Sequence, residues 1–288
     1  MVAGLSTLYY NESMDEQISI IKADGTREPF DIKKLTYSLK RAGATEKATE
    51  ETLSHIEHQL AEGMTTHEIY RRSFEFLDLA QKPIAMRYSL KRAIMELGPS
   101  GFPFEDFIAD ILREKGFEAL TGQMILGGCV EHEVDVVAWN ENKLIMAEAK
   151  FHNELGIKSD LKIALYVKAR MDDLQGNVYF YGKERHVDEG WLITNTKFTT
   201  TAIHYAECKG LTLVGWNYPQ KGNLQDMIID SGLHPLTCLT SLSSASKKIL
   251  LGRGIVLCKA LKEDPSILLS LGINEEKSML ILEEINTL

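Results

Sequence analysis

Asp135, Glu148, Ala149 and Lys150 are the residues of this chain whose types and spacing best suit chemistry. Asp135 lies in the run His132-Glu133-Val134-Asp135-Val136-Val137-Ala138-Trp139, and the other three close the run Leu144-Ile145-Met146-Ala147-Glu148-Ala149-Lys150. Both runs are short and β-prone, and Asn140-Glu141-Asn142-Lys143 between them reads as the turn of a hairpin. Alternation along a strand puts Glu148 and Lys150 on one face and Ala149 on the other. A two- or four-residue loop pairs residues whose numbers sum to 283, which sets Asp135 opposite Glu148. Two carboxylates and an ammonium then converge, an arrangement that suits a hard divalent cation with a lysine beside it, as in metal-dependent phosphodiester hydrolysis. The competing reading is an exposed hairpin with charges on its wet face. The apolar run Leu144–Ala147 argues for burial instead.

The elements needed to position these residues can be read on either side. Phe104, Phe107, Ile108, Ile111 and Leu112 form one apolar stripe of a helix that Gly116 ends. After the hairpin, 159–174 reads as a helix, followed by short strands at 177–181 and 191–194, a helix over 199–208 and a last strand over 211–216. Lys158, Lys162, Tyr166 and Arg170 follow at intervals of four and so predict one basic helical stripe, able to guide a phosphate backbone or simply to be solvated.

On these residues the segment 103–217 resembles the Mrr-type branch of the PD-(D/E)XK nucleases, with Asp135, twelve intervening residues, then Glu-Ala-Lys. The resemblance implies a central α/β, restriction-endonuclease-like mixed sheet flanked by helices. It implies Mg²⁺ (or Mn²⁺) held by Asp135, Glu148 and the Ala149 carbonyl, with Glu105 on the first helix joining them. A glutamate in a first helical turn also suits the helix dipole. Lys150 would orient or deprotonate the attacking water and stabilise charge on the scissile phosphate. A lysine at its reference pKa is a poor base near neutrality, so the electrostatic role is the safer expectation.

Ahead of this segment, Ile20-Ile21-Lys22-Ala23-Asp24-Gly25-Thr26-Arg27-Glu28-Pro29-Phe30-Asp31 reads as a small hairpin with an Asp-Gly turn, and Asp31 as the N-cap of a helix. Further helices are predicted over 49–62, 66–80 and 83–97, with Thr65 before the second as a cap. Lys22 beside the turn and Lys34 on the next helix offer two ammonium groups able to straddle a triphosphate. Residues 16–97 resemble the ATP-cone, a regulatory nucleotide-binding module: Ile-Lys-x-Asp-Gly, then Glu28, Phe30, Asp31 and Lys33-Lys34-Leu35, and distally Ala85-Met86-Arg87-Tyr88. The resemblance implies ATP or dATP as a regulatory ligand, bound through Lys22, Asp24, Gly25, Glu28 and Lys34, with Lys91 as an additional candidate. No G-x-x-x-x-G-K-[ST] loop occurs, which predicts binding without hydrolysis.

Gly98-Pro99-Ser100-Gly101-Phe102-Pro103 and Asn217-Tyr218-Pro219-Gln220-Lys221-Gly222-Asn223 punctuate the chain. The expected architecture is therefore multidomain: an α-helical cone with a small hairpin, the mixed sheet, and a small all-α C-terminal domain over 230–288. That last segment resembles a pair of helix-hairpin-helix units, in which glycine turns and helix N-termini offer N–H groups to DNA phosphates. Lys247, Lys248 and Arg253 are its candidate DNA contacts; docking on another domain is the alternative. The net charge of −9 argues against a nucleic-acid enzyme but is compatible with a local basic patch. No apolar run approaches bilayer length, residues 1–10 show no signal peptide, and Cys129, Cys208, Cys238 and Cys258 form no C-x-x-C pair, which predicts a reduced, cytoplasmic setting away from membranes.

The sequence thus predicts a metal-dependent DNA endonuclease, regulated by ATP or dATP, in restriction, defence or repair. Paired cleavage of two strands predicts a homodimer or larger. The alternative is a non-enzymatic, nucleotide-responsive DNA-binding transcriptional regulator; such regulators carry a zinc ribbon that this chain lacks.

Overall fold

The computed structural model describes residues 18–97 and 104–288. The N-terminal decapeptide and the break at 98–103 fall outside them.

The first segment is a hairpin of β1 (Ser19–Ile21) and β2 (Arg27–Pro29) followed by α1 (Ile32–Arg41), α2 (Glu46–Glu57), α3 (Thr66–Ala80) and α4 (Lys82–Met95). Each start has a local cause. Asp31 accepts from the Lys33 N–H at the head of α1, and Thr65 with Glu68 forms a reciprocal capping box on α3. Thr45 accepts from the Ala48 N–H, so α2 begins earlier than the predicted 49. Leu39, Ile56, Leu77 and Ala85 fill the core of this bundle.

The central segment opens with α5 (Phe104–Glu114) and runs through β3 (Glu118–Leu126), β4 (Glu131–Trp139), β5 (Leu144–Lys150), β6 (Lys158–Ser159), α6 (Leu161–Gln175), β7 (Tyr179–Tyr181), β8 (Lys183–Arg185), β9 (Glu189–Thr194), β10 (Lys197–Phe198), α7 (Thr200–Lys209) and β11 (Leu211–Val214). Five strands make a mixed sheet in the order β11-β9-β5-β4-β3: β3, β4 and β5 are antiparallel, while β9 and β11 join β5 in parallel. The β4–β5 hairpin has the predicted register, Val136 opposite Ala147 through Trp139 opposite Leu144.

Side-chain alternation separates two cores. Val136, Ala138, Ile145 and Ala147 face α5 and α8 (Leu224–Ser231). Val137, Leu144, Met146 and Leu192 face α6 and α7. The α6 layer approaches so closely that a Cβ on Gly190 would lie 2.6 Å from Met171 Cγ. The predicted strand at 177–181 stands apart from the sheet, where β7 pairs with β8 alone.

One prediction fails at the start of α6. Asp160 accepts from the Lys162 and Ile163 N–H groups and caps the helix there, leaving Lys158 on β6, paired with Lys197 of β10. Lys158 is therefore no member of a helical stripe.

The C-terminal segment holds α9 (Ser244–Gly252), α10 (Cys258–Glu263), α11 (Ser266–Leu269) and α12 (Glu275–Asn286), with left-handed Gly254 and Gly272 between members of the two helix pairs. It is docked, not free. Leu236, Leu239, Leu250 and Ile281 share a core with Met86 and Ala93 of α4, and the Thr237 hydroxyl donates to the Ala93 carbonyl at 2.7 Å. No helix among the described residues is long and apolar enough to cross a membrane.

Candidate active site and nucleotide cleft

Asp135 and Glu148 meet on the α6 face of the sheet, where β4 and β5 part. Asp135 Oδ2 accepts the Ala149 N–H at 2.7 Å, a side-chain continuation of the strand ladder beyond its last backbone pair. Glu148 Oε2 accepts from Arg170 Nη1 on α6. The same guanidinium donates to the Glu133 carbonyl at 2.8 Å and the Tyr166 hydroxyl at 2.8 Å, and lies over the Tyr166 ring at 4.9 Å. Lys150 is exposed at the end of β5, close enough to draw down the pKa of both carboxyls.

Burial nevertheless dominates. It holds Asp135 above the usual carboxylate range, against the Ala149 N–H and Arg170. Glu148 is raised by burial first and by the Asp135 charge second. Two half-buried carboxylates repelling one another are a standing demand for positive charge. Asp135 Oδ1 and Glu148 Oε1 carry no protein hydrogen bond among the described residues. One open hard oxygen from each carboxylate fits a small divalent cation.

Glu105 is half-buried in the first turn of α5, in the layer on the opposite side of the sheet. Its neighbour Phe104 packs on Phe151 at 5.3 Å, one residue beyond Lys150. Among the described residues no three His, Cys, Asp or Glu side chains converge, so the structure brings Asp135 and Glu148 together without Glu105. Ala149 takes part through its N–H. The histidines flanking the motif are engaged elsewhere: His132 with Asp173 at 2.7 Å and His152 with Ser159 at 2.9 Å.

Arg170, expected with Lys162 and Tyr166 on one basic helical stripe, turns into the site and pairs with Glu148. Lys162 remains exposed on α6. Of the C-terminal candidates, Lys248 is exposed and Arg253 donates to Ser270 at 2.9 Å. Lys247 is turned inward: it donates to the Thr237 carbonyl at 2.8 Å, and burial lowers its pKa.

At the cone, Glu28 bridges both lysines expected to hold phosphate, Lys22 at 3.1 Å and Lys34 at 2.9 Å. Hydrogen bonds from Lys34 and then Lys22 depress the Glu28 pKa. Asp24 accepts from the Thr26 N–H and hydroxyl, closing the turn over left-handed Gly25. Lys22, Asp24, Thr66 and Lys91 line one wall of a cleft of about 350 Å³; Gly25, Glu28 and Lys34 stand outside it. Burial, then Lys197 and Arg92, push Lys91 down to about 8.

Three family matches divide the chain: an ATP cone domain over residues 18–95, a restriction endonuclease domain of the Mrr type over 98–217, and an AF1548-like C-terminal segment over 234–288. Over 178 residues the chain is 33% identical to an uncharacterized protein of Archaeoglobus fulgidus, covering 62% of this chain and 97% of that one. The crystal structure of a protein of unknown function, AF1548, is 31% identical with a TM-score of 0.48, over 64% of this chain and 97% of that chain. Can2 from Sulfobacillus thermosulfidooxidans, solved with cyclic tetra-adenylate, is 13% identical with a TM-score of 0.33, over 72% of this chain and 64% of that one.

Proposed function

We propose, from the chain's membership of the family of AF1548-like proteins and from the ATP cone and restriction-endonuclease domain that it carries, that it is a metal-dependent DNA endonuclease whose activity responds to ATP or dATP. The observation that supports this most directly is the meeting of Asp135 and Glu148 on one half-buried face, with Lys150 beside them.

In this reading Asp135 and Glu148 would hold Mg²⁺ or Mn²⁺, with the Ala149 carbonyl as a further ligand; Glu105, in the layer across the sheet, is left out of the set. The cation supplies Lewis acidity and a lowered pKa for a bound water. The protein's own groups do the rest. The Ala149 N–H fixes the rotamer of Asp135, and Arg170 fixes that of Glu148. Lys150, exposed at the strand end, stabilises negative charge on the scissile phosphate. Lys162 on α6 and Lys248 and Arg253 in the C-terminal segment are the proposed backbone contacts. Lys158 and Lys247 are not, because the first lines the cleft beside the cone and the second is turned inward. Cleavage of both strands calls for two copies of the site, hence a homodimer or larger, acting in restriction, defence or repair.

The test is plasmid cleavage with Mg²⁺, with and without ATP, by wild type and Lys150→Ala. The expected result is nicking or linearisation by wild type, reduced roughly 10²- to 10³-fold in the variant, with a rate that ATP changes. Absence of cleavage by wild type, with DNA binding that responds to ATP, would replace the enzyme by a nucleotide-responsive DNA-binding regulator.

A further inference from the structure

The wall of the cleft opposite the cone belongs to the endonuclease domain. Lys158 of β6 and Lys197 of β10 are register partners in a two-stranded parallel ribbon, and both line the cleft with Lys22 and Lys91. Four ammonium groups from two domains therefore face one space. Lys22 alone of the four has a carboxylate partner, Glu28; Lys91, Lys158 and Lys197 form no ion pair among the described residues. The other carboxylate on the cleft, Asp24, is engaged by Thr26. Burial lowers the Lys197 pKa, and Lys22, Lys158 and Lys34 lower it further against the smaller opposing pull of Glu28, so the lysines repel across the domain boundary. A gap held between like charges suits an anion carrying several charges of its own.

The two walls are also fitted to each other. Gly156, with φ of +94°, lies flat on the cone's hairpin turn, and a Cβ there would sit 3.2 Å from the Asp24 nitrogen and 3.3 Å from the Ala23 carbonyl carbon. Behind it, the buried Asn195 accepts the His152 N–H at 2.8 Å, donates to the His152 carbonyl at 2.8 Å and reaches Met95 Sδ of α4 at 3.1 Å. The segment between Lys150 and Lys158 is thus held at one end by the candidate active-site strand and at the other by the cleft.

We propose that Lys158 and Lys197 complete the nucleotide site of the cone, so that the polyphosphate of a nucleoside triphosphate binds between the two domains and clamps one onto the other. The proposal rests on the nucleotide-binding reading above and goes beyond it by assigning half of the phosphate contacts to the endonuclease domain. Its consequence is that nucleotide occupancy is felt by the loop leaving Lys150, which gives the cone a physical route to the site.

The test is titration calorimetry of ATP into the full chain and three variants: Lys22→Ala, the double variant Lys158→Ala/Lys197→Ala, and Gly156→Ala. Thermal melts check that each is folded. The double variant is expected to bind ATP at least about tenfold more weakly than wild type, as loss of charge-assisted contacts requires. Gly156→Ala keeps every lysine but strains a left-handed backbone and presses the Ala23–Asp24 turn back by a few tenths of an ångström, and is expected to weaken binding severalfold. Inorganic tripolyphosphate is expected to compete with ATP in wild type. Weakened binding in Lys22→Ala alone, with wild-type affinity in the other two, overturns the shared site and leaves the cone's nucleotide binding standing. Failure of tripolyphosphate to compete overturns the assignment of the lysines to phosphate. Wild type that binds no ATP removes both readings together.

Discussion

At the end of β5 two carboxylates share a half-buried face, and each already has a protein partner: the Ala149 N–H for Asp135, the Arg170 guanidinium for Glu148. In the cleft between cone and sheet the like charges are ammonium groups, and Lys91, Lys158 and Lys197 form no direct ion pair among the described residues, although Asp24 and Glu28 lie near enough to act on Lys158 and Lys197. The acidic site is compensated only in part within one domain, by one guanidinium for two carboxylates, so a cation entering it adds to an arginine already in place. The basic cleft spans two domains and holds more ammonium groups than the Asp24 and Glu28 carboxylates offset, so an anion entering it also affects how the domains meet. One region carries part of its compensation within a single domain, and the other shares an excess of like charge between two.

The largest expected effect comes from breaking the internal compensation of the acidic site. Glu148 and Arg170 have side chains 18% and 11% exposed, so removing one partner leaves a largely buried charge unpaired. Arg170→Ala is expected to cost roughly 3–5 kcal/mol, or on the order of 10 °C in melting temperature. Mg²⁺ should return a substantial part of that loss, because a cation at the open oxygens replaces the missing guanidinium charge, and should stabilise the variant by more than it stabilises wild type. Melts in EDTA and in Mg²⁺ decide this. Identical losses in both would mean that Glu148 and Arg170 are a structural ion pair with no call for a metal.

Much of the acidic site was legible because it is local. The hairpin register followed from loop length, and it put Asp135 against Glu148. The caps at Asp31 and Thr65 were likewise readable from short-range chemistry. Arg170 was not: spacing of four residues shows that Tyr166 and Arg170 share a helical face, but not which layer that face meets. Lys158 was lost to a two-residue error in the helix start, since Asp160 is a better cap than anything before it. The composite cleft was beyond reach for a different reason. It depends on Gly156 lying against a turn more than a hundred residues away, and neither wall has a periodicity that points to the other.

A smaller effect distinguishes the open cleft through pH. Burial, Lys197 and Arg92 bring Lys91 from an ordinary 10.5 to about 8, with the Lys22 and Lys158 ammonium groups and the Asp24 carboxylate also on the cleft. A phosphate needs the ammonium form, so ATP affinity should be full below about 8 and fall above it, by about tenfold per pH unit. Fold stability should move the other way: the folded chain prefers neutral Lys91, so its contribution improves as pH rises from about 8 towards 10.5. Lys91→Met should flatten the binding profile between pH 7 and 9. A slope that survives this substitution assigns the titration to another group and weakens the case that Lys91 meets phosphate.

The smallest expected effect concerns the docked C-terminal helices, where two adjacent lysines on α9 part company. Lys248 is exposed, whereas Lys247 donates to the Thr237 carbonyl at 2.8 Å and supports the docking against α4. A solvated lysine near a DNA backbone releases one counterion on binding, and its loss should reduce the slope of log affinity against log salt by about 1. Lys248→Ala is therefore expected to flatten the salt dependence of DNA binding, while Lys247→Ala lowers the melting temperature and leaves the slope alone. If Lys248→Ala keeps the wild-type slope, these helices serve as a brace for the cone, and contact with DNA falls to α6 and the sheet.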